Sequence, residues 1–281
     1  MQIILMKIIP HLRTHIVRCL LLPLLITVQP AGAHDFWIEP DTLSAPAGTE
    51  VSIRLREGVG FTGNTLPYIP QWFADFTLVT ATGRERVISL TGDDPAAVLP
   101  MPDGAALLGY QSLRNLTTLD AAKFNSYLED EGIAFIRELR IARGEDDAPA
   151  PEYFVRCAKA LLQSQGGAAG DVYSTVLGYT LELIPEQNPY ALAPGDELSF
   201  RLLLRGEPAA GLLLQAYTRE SPDDIQKVRV DADGRARITL VEPGDWLVKA
   251  VSIEEETKSP DADWLSYWAS FVFAVSPAGA E

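Results

Sequence analysis

A two-residue hydrophobic period constrains this chain more than any other feature. In residues 50–56 (EVSIRLR), Val51, Ile53 and Leu55 alternate with polar neighbours. An extended strand with one buried face gives that period. Residues 76–80, 86–90 and 105–110 are further strand candidates, and Gly48, Gly58, Gly83, Gly92 and Gly104 punctuate them at turn positions. Short strands at this spacing predict a sandwich-like start to the fold.

The period changes near Asp120. Asp120 suits a helix N-cap, Phe124, Tyr127 and Leu128 fall at i, i+3 and i+4, and Gly132 supplies a left-handed end. Residues 133–143 continue as a second predicted helix, with Phe135, Ile136 and Leu139 on one side. After a polar loop, residues 152–163 carry the stripe Phe154, Cys157, Ala158, Leu161 and Leu162, which predicts a third helix. A glycine-rich loop follows at 165–170, then a strand at 176–184. Pro185, Pro189 and Pro194 mark a boundary, beyond which strands are expected at 198–204, 212–218, 227–231, 236–240, 246–253 and 269–275. Asp231, Asp233 and Gly234 sit between two alternating runs and read as a hairpin turn rather than a calcium loop, which needs flanking helices. The expected fold class is mainly β, or α+β. An N-terminal β-sandwich-like domain (34–184) carries a three-helix insertion at about 120–165. A C-terminal Ig-like or transthyretin-like β-sandwich (185–277) follows it.

The first residues address the compartment. Lys7, Arg13 and Arg18 precede an apolar stretch at 19–28 (CLLLPLLITV), and Ala31-Gly32-Ala33 offers small residues for cleavage. This is signal-peptide anatomy, so residues 1–33 are expected to be removed and the mature chain to be periplasmic, beginning at His34. The apolar stretch falls short of the ~20 residues that cross a bilayer, and no later run reaches that length. Cleavage removes three basic residues and no acidic one, so the net charge of −15 becomes −18. A chain this acidic repels phosphate backbones, which excludes nucleic acid as an expected partner. Cys157 is the one cysteine left, so no internal disulfide can form and a hydrophobic core must supply the stability.

Once processed, His34 carries a free α-amino group and an imidazole, which can chelate one metal ion. Nickel, cobalt or copper suits such nitrogen donors. His11 and His15 lie in the removed segment, so further ligands are expected from Asp35 and Glu39. The competing reading is a frayed terminus. Cys157 reads as a small buried hydrophobe. Glu254-Glu255-Glu256 reads as solvated charge. Trp264, Tyr267, Trp268, Phe271 and Phe273 suit either core filling, the favoured reading, or a platform for a sugar. The sequence holds no nucleophile elbow, phosphate-binding glycine loop or dinucleotide fingerprint, so no enzymatic activity and no resident organic cofactor are expected. Carboxylate-pair chemistry stays open, because a sequence does not show which acids converge.

HDFWIEP (34–40), FNSYLEDEGI (124–133), EYFVRCAKALL (152–162), LELIPEQNPYALAPGDEL (181–198), VDADGRARITL (230–240), PGDWLVKAV (243–251) and DWLSYWASFVF (263–273) occur in this order. In these blocks the chain resembles a bacterial family catalogued as domain of unknown function 4198. The resemblance implies a periplasmic two-part protein associated with nickel or cobalt uptake. It also implies a histidine just after the lysine-alanine-valine strand, where this chain has Ser252. The leading expectation is a periplasmic binding or accessory protein for a divalent transition metal. The second is a structural or interaction module of the cell envelope, with an envelope or transporter protein as partner. Carbohydrate binding ranks third. N-terminal sequencing of the exported protein is expected to begin His-Asp-Phe-Trp; an intact Met1 on the exported chain would remove the terminal chelate.

Overall fold

The computed structural model describes residues 34–168 and 170–277, so the expected signal peptide lies outside the described residues. In chain order the strands begin with β1 (Asp35–Pro40), β2 (Ser44–Ala45), β3 (Glu50–Val59), β4 (Thr62–Leu66), β5 (Phe73–Thr80) and β6 (Gly83–Arg86). Next come β7 (Ala97–Pro100), β8 (Ala105–Ser112), β9 (Asn115–Leu119), the helices α1 (Ala121–Asp130) and α2 (Ala134–Arg143), and the long strand β10 (Ala150–Ser164). The chain then runs through β11 (Leu181–Pro185), β12 (Glu197–Leu204), β13 (Glu207–Pro208) and β14 (Leu213–Thr218). It closes with β15 (Gln226–Arg229), β16 (Arg235–Thr239), β17 (Gly244–Glu255) and β18 (Trp264–Val275).

A ten-stranded sheet forms the middle layer, in the order β15-β14-β17-β18-β10-β8-β5-β6, with β2 and β9 also pairing with β10. One face packs against the sheet of β11, β12, β13 and β16; the other packs against β1, β3, β4 and β7 and, further along, against the two helices. Strand β10 shows how period two builds both cores. Its Val155, Cys157 and Leu161 enter the first, while Ala158, Ala160 and Leu162 enter the second. Strand β17 likewise sends Trp246, Val248 and Ala250 one way and Val251 and Ile253 the other, beneath the helices.

The third predicted helix is corrected: residues 152–163 lie within β10. A strand buried on both faces reads as a nearly continuous apolar run, and such a run also satisfies an i, i+3, i+4 stripe. The insertion therefore holds two helices. Asp120 caps α1, its carboxylate accepting the Lys123 N–H at 2.9 Å, and Phe124, Tyr127 and Leu128 are buried as expected. Gly132 takes the left-handed conformation (φ 68°), and a Cβ there would also meet Leu213 at 2.9 Å. In α2 the buried positions are Ile136 and Arg140, and Phe135 faces solvent.

The expected boundary at Pro185 falls inside one sheet system. Strand β18 pairs parallel with β10, from Glu152–Trp264 to Ala160–Val272, joining the two halves edge to edge. Residues Ala31–Glu281 accordingly make one compact unit.

A buried ion pair anchors β10 to the layer above it. Lys159 Nζ pairs with Glu182 and donates to the carbonyls of Thr175 and Leu183, both at 3.2 Å. Glu182 also accepts the backbone N–H groups of Leu177, Gly178 and Tyr179 at 2.6, 3.0 and 3.2 Å. All three lysine donors are used, as burial of a charge requires. Lys159→Met alone should cost ~3–5 kcal/mol by stranding the carboxylate. Glu182→Leu should cost more, because it also frees three amides. In denaturant titrations the double variant should lose clearly less than the sum of the two; strict additivity would mean the pair is not coupled.

Candidate functional site

His34 stands just before β1, and Asp35 and Glu39 lie on it. Strand β1 is buried along its whole length and runs antiparallel to β3, pairing Asp35 with Gly58 and Glu39 with Arg54. Four residues of strand separate the two acids by ~13 Å. Each is claimed by a different cation. Asp35 accepts Lys249 Nζ at 2.7 Å and the Tyr217 hydroxyl at 3.0 Å. Lys249 also donates to Glu131 at 2.8 Å, and Glu131 accepts Gln215 Nε2 at 2.8 Å. Glu39 pairs with Arg56 and Arg219, each at 2.9 Å. His34 is half exposed, and its Nδ1 lies 3.5 Å from a Glu57 carboxylate oxygen. Glu57 in turn pairs with Arg156 at 2.9 Å. The expected set His34, Asp35 and Glu39 is therefore not gathered at one point. Among the described residues no group of three or more His, Cys, Asp or Glu side chains could hold a metal ion.

Lys249 binds β1, the end of α1 and β17 to one another. Burial disfavours its charge, but Asp35 and Glu131 outweigh that and raise its pKa. Burial raises the pKa of Glu131 despite the attraction of Lys249. Tyr217 is raised by burial and then by the Asp35 charge.

The remaining sequence candidates resolve into structural roles. Burial pushes the Cys157 thiol up to about 12, which leaves it un-ionised at neutral pH. The glutamate run is not simply solvated. Glu254 pairs with Arg205, Glu255 with Arg143 at 2.8 Å, and Glu256 with Arg114, so three separate segments are tied to the end of β17. The three glutamates, Arg114 and Arg205 border a cleft of about 800 Å³. The aromatic-rich end fills the core, the reading favoured from the sequence. Trp264 is fully buried against Phe124, Tyr267, Phe271 and Phe273 lie in the core, and Trp268 stacks on Tyr127 at 5.0 Å.

A family model described as a domain of unknown function (DUF4198) matches residues 31–254. The chain belongs to this family. No curated protein matches it. Among solved structures, a tetra-tandem repeat in the extending region of a large adhesion protein is similar at 13% identity and a TM-score of 0.20. That match covers 87% of this chain, which spans 50% of the adhesion structure. The D0-D1 domain of intimin is similar at 10% identity, with 85% of this chain and 97% of that one covered and a TM-score of 0.19. Within this DUF4198 member, Ser252 pairs with Tyr267 of β18. Strand parity turns Ser252 to the face opposite Lys249, and Lys249 faces Asp35. Ser252 therefore takes no part in the surroundings of His34.

Sequence reasoning missed Glu152. It is 2% exposed, and its carboxylate accepts from Ser266 and, at 3.5 Å, from Tyr127. Trp268 Nε1 donates to the same Ser266 hydroxyl at 2.8 Å. No cation pairs with Glu152 among the described residues. The sequence offered no clear signal, because Glu152 stands in a segment that also carries Arg156 and Lys159. Burial raises its pKa from 4.5 to about 7, the two hydroxyls opposing. A raised pKa means that the folded state holds its proton more tightly. The stability from this group is complete below pH 4.5 and is lost as pH rises through about 7. The loss should approach about 3 kcal/mol at alkaline pH. Denaturant titrations from pH 5 to 9 should show it, and Glu152→Gln should flatten the profile; an unchanged slope in that variant would assign the effect elsewhere.

Proposed function

We propose that this protein is exported to the periplasm and acts there as a non-catalytic binding protein for a divalent transition metal ion, with the processed His34 as anchor. The observation that carries this reading is the burial of β1 from Asp35 onward. A terminal histidine attached directly to a buried strand is held in place, which answers the objection that a chain end frays. Its imidazole is exposed to solvent and faces Glu57 at 3.5 Å. The donor set is then the terminal amine, the imidazole and the Glu57 carboxylate. Nickel, cobalt and copper accept two nitrogens and an oxygen. Asp35 and Glu39 remain with their lysine and arginines and are not ligands. Arg156 competes for Glu57 and weakens the site.

A second reading, an envelope interaction module, is favoured by β6. This strand ends the ten-stranded sheet, all four of its residues are exposed, and Ile88 and Leu90 beyond it are 80% and 76% exposed. Such an edge accepts a strand from another chain. The Ig-like C-terminal half expected from the sequence belongs to this reading.

Calorimetric titration of Ni²⁺, Co²⁺ and Cu²⁺ into the cleaved protein separates the two. One-site binding should vanish in His34→Ala and weaken in Glu57→Gln. No binding, or equal binding by all three proteins, would overturn the metal reading and leave the sheet edge as the functional surface.

A further inference from the structure

The cleft of about 800 Å³ beside the end of β17 serves neither the metal site nor the sheet edge. Its volume falls within the ~300–1,000 Å³ of small-molecule pockets. Val155 of β10 and Tyr267 of β18 pair at its floor, with Leu265 two positions away on the same face. Arg156 follows Val155 and so faces the other way, where it pairs with Glu57 beside His34. The cleft therefore opens on the opposite face of the central sheet from His34. Leu113 adds an exposed aliphatic wall.

The rim offers donors more than acceptors. Glu254, Glu255 and Glu256 are each taken by an arginine. The arginines are not used up in return. Arg205 bonds Glu254 and the Tyr267 hydroxyl through Nη2 alone, and Arg114 bonds Glu256 through Nη2 alone. A guanidinium carries five N–H donors, so Nε and Nη1 of both are left over among the described residues. The Lys258 side chain has no carboxylate partner there either. All three can be reached from solvent: Arg205 is 50% and Arg114 41% exposed, and Lys258 is exposed. Pairing thus leaves one unmatched positive charge on the rim, which fits a monoanion better than a doubly charged phosphate.

Arg205 is also held in a costly backbone conformation. It opens the two-residue turn between β12 and β13 at φ 54°, and Gly206 follows at φ 85°. A hairpin turn with positive φ at both positions is best met by Asn-Gly, and an arginine there is strained. Its exposed pair with Glu254 offsets little of that strain. What the arginine does supply is a guanidinium at the cleft, 5.1 Å over the Tyr267 ring. Strain kept at such a place points to use of the side chain.

We infer that this cleft binds a small carboxylate with an aliphatic body, the carboxylate taken by the free donors of the rim, Arg205 foremost, and the body laid against Leu113 and Leu265. Guanidinium N–H pairs match a carboxylate in shape as well as charge.

Calorimetry and saturation-transfer NMR on the cleaved protein test it. Octanoate probes a free fatty acid, and N-acetyl-leucine the end of a peptide. Octylamine and octyl glucoside carry an aliphatic body without the anion. At least one carboxylate should bind at millimolar concentration or below, with both controls about tenfold weaker or more. Arg205→Asn suits the turn, so it should hold or raise the melting temperature while weakening carboxylate binding by about tenfold or more. Lys258→Gln should weaken binding and reduce its dependence on salt. Absence of binding by both carboxylates overturns the inference. Equal binding of the controls overturns it too, by leaving only an apolar patch. So does wild-type affinity in both variants, which would place the carboxylate elsewhere.

Discussion

The parallel ladder between β10 and β18 is the constraint on which the fold depends. It joins strands separated by about a hundred residues of chain and turns two stacks of sheets into one system. Parallel pairing needs cover on both faces. The sheet of β11, β12, β13 and β16 supplies one cover; β1, β3, β4, β7 and the helices supply the other. The placement of β1 follows from this. It is a covering strand, and its burial is part of what keeps the central sheet dry.

A second constraint is the disposal of charge in a layered interior. Lys159 and Glu152 are buried on central strands, and Lys249 on another is 12% exposed. Lys159 and Lys249 are each matched to carboxylates from other segments, so each acts as a clamp between layers. Removing one member of such a clamp is far more damaging than replacing the whole by apolar groups, so burial of the pair is by itself no measure of net stability. Glu152 has no paired cation among the described residues, and burial raises its pKa to about 7 instead, which ties the seat of α1 to pH.

What could be read in the sequence followed from local rules. The period of β3, the Asp120 cap, the Gly132 stop and most C-terminal strands are visible because each depends on neighbours within a few residues. Residues 152–163 defeated the same rules because burial on two faces erases the alternation that marks a strand. The acids of β1 were readable as residue types but not as partners. Lys249 lies 214 positions from Asp35, and Arg219 lies 180 from Glu39. No spacing rule connects such pairs, so carboxylates beside a histidine resembled metal ligands while the fold had assigned them to cations.

Asp35 nevertheless bears on the proposed metal site. A chelating terminus is useful only if its donors are held, since ordering a free chain end opposes binding. The residue after His34 is gripped from two sides, by Lys249 of β17 and Tyr217 of β14, and the backbone of β1 is paired to β3. The histidine therefore starts from a fixed base, so in the proposed site folding would meet part of the ordering cost. In the proposed site Asp35 would be a positioning residue: it would touch no metal, but its grip on β1 would set where the amine and imidazole stand relative to Glu57.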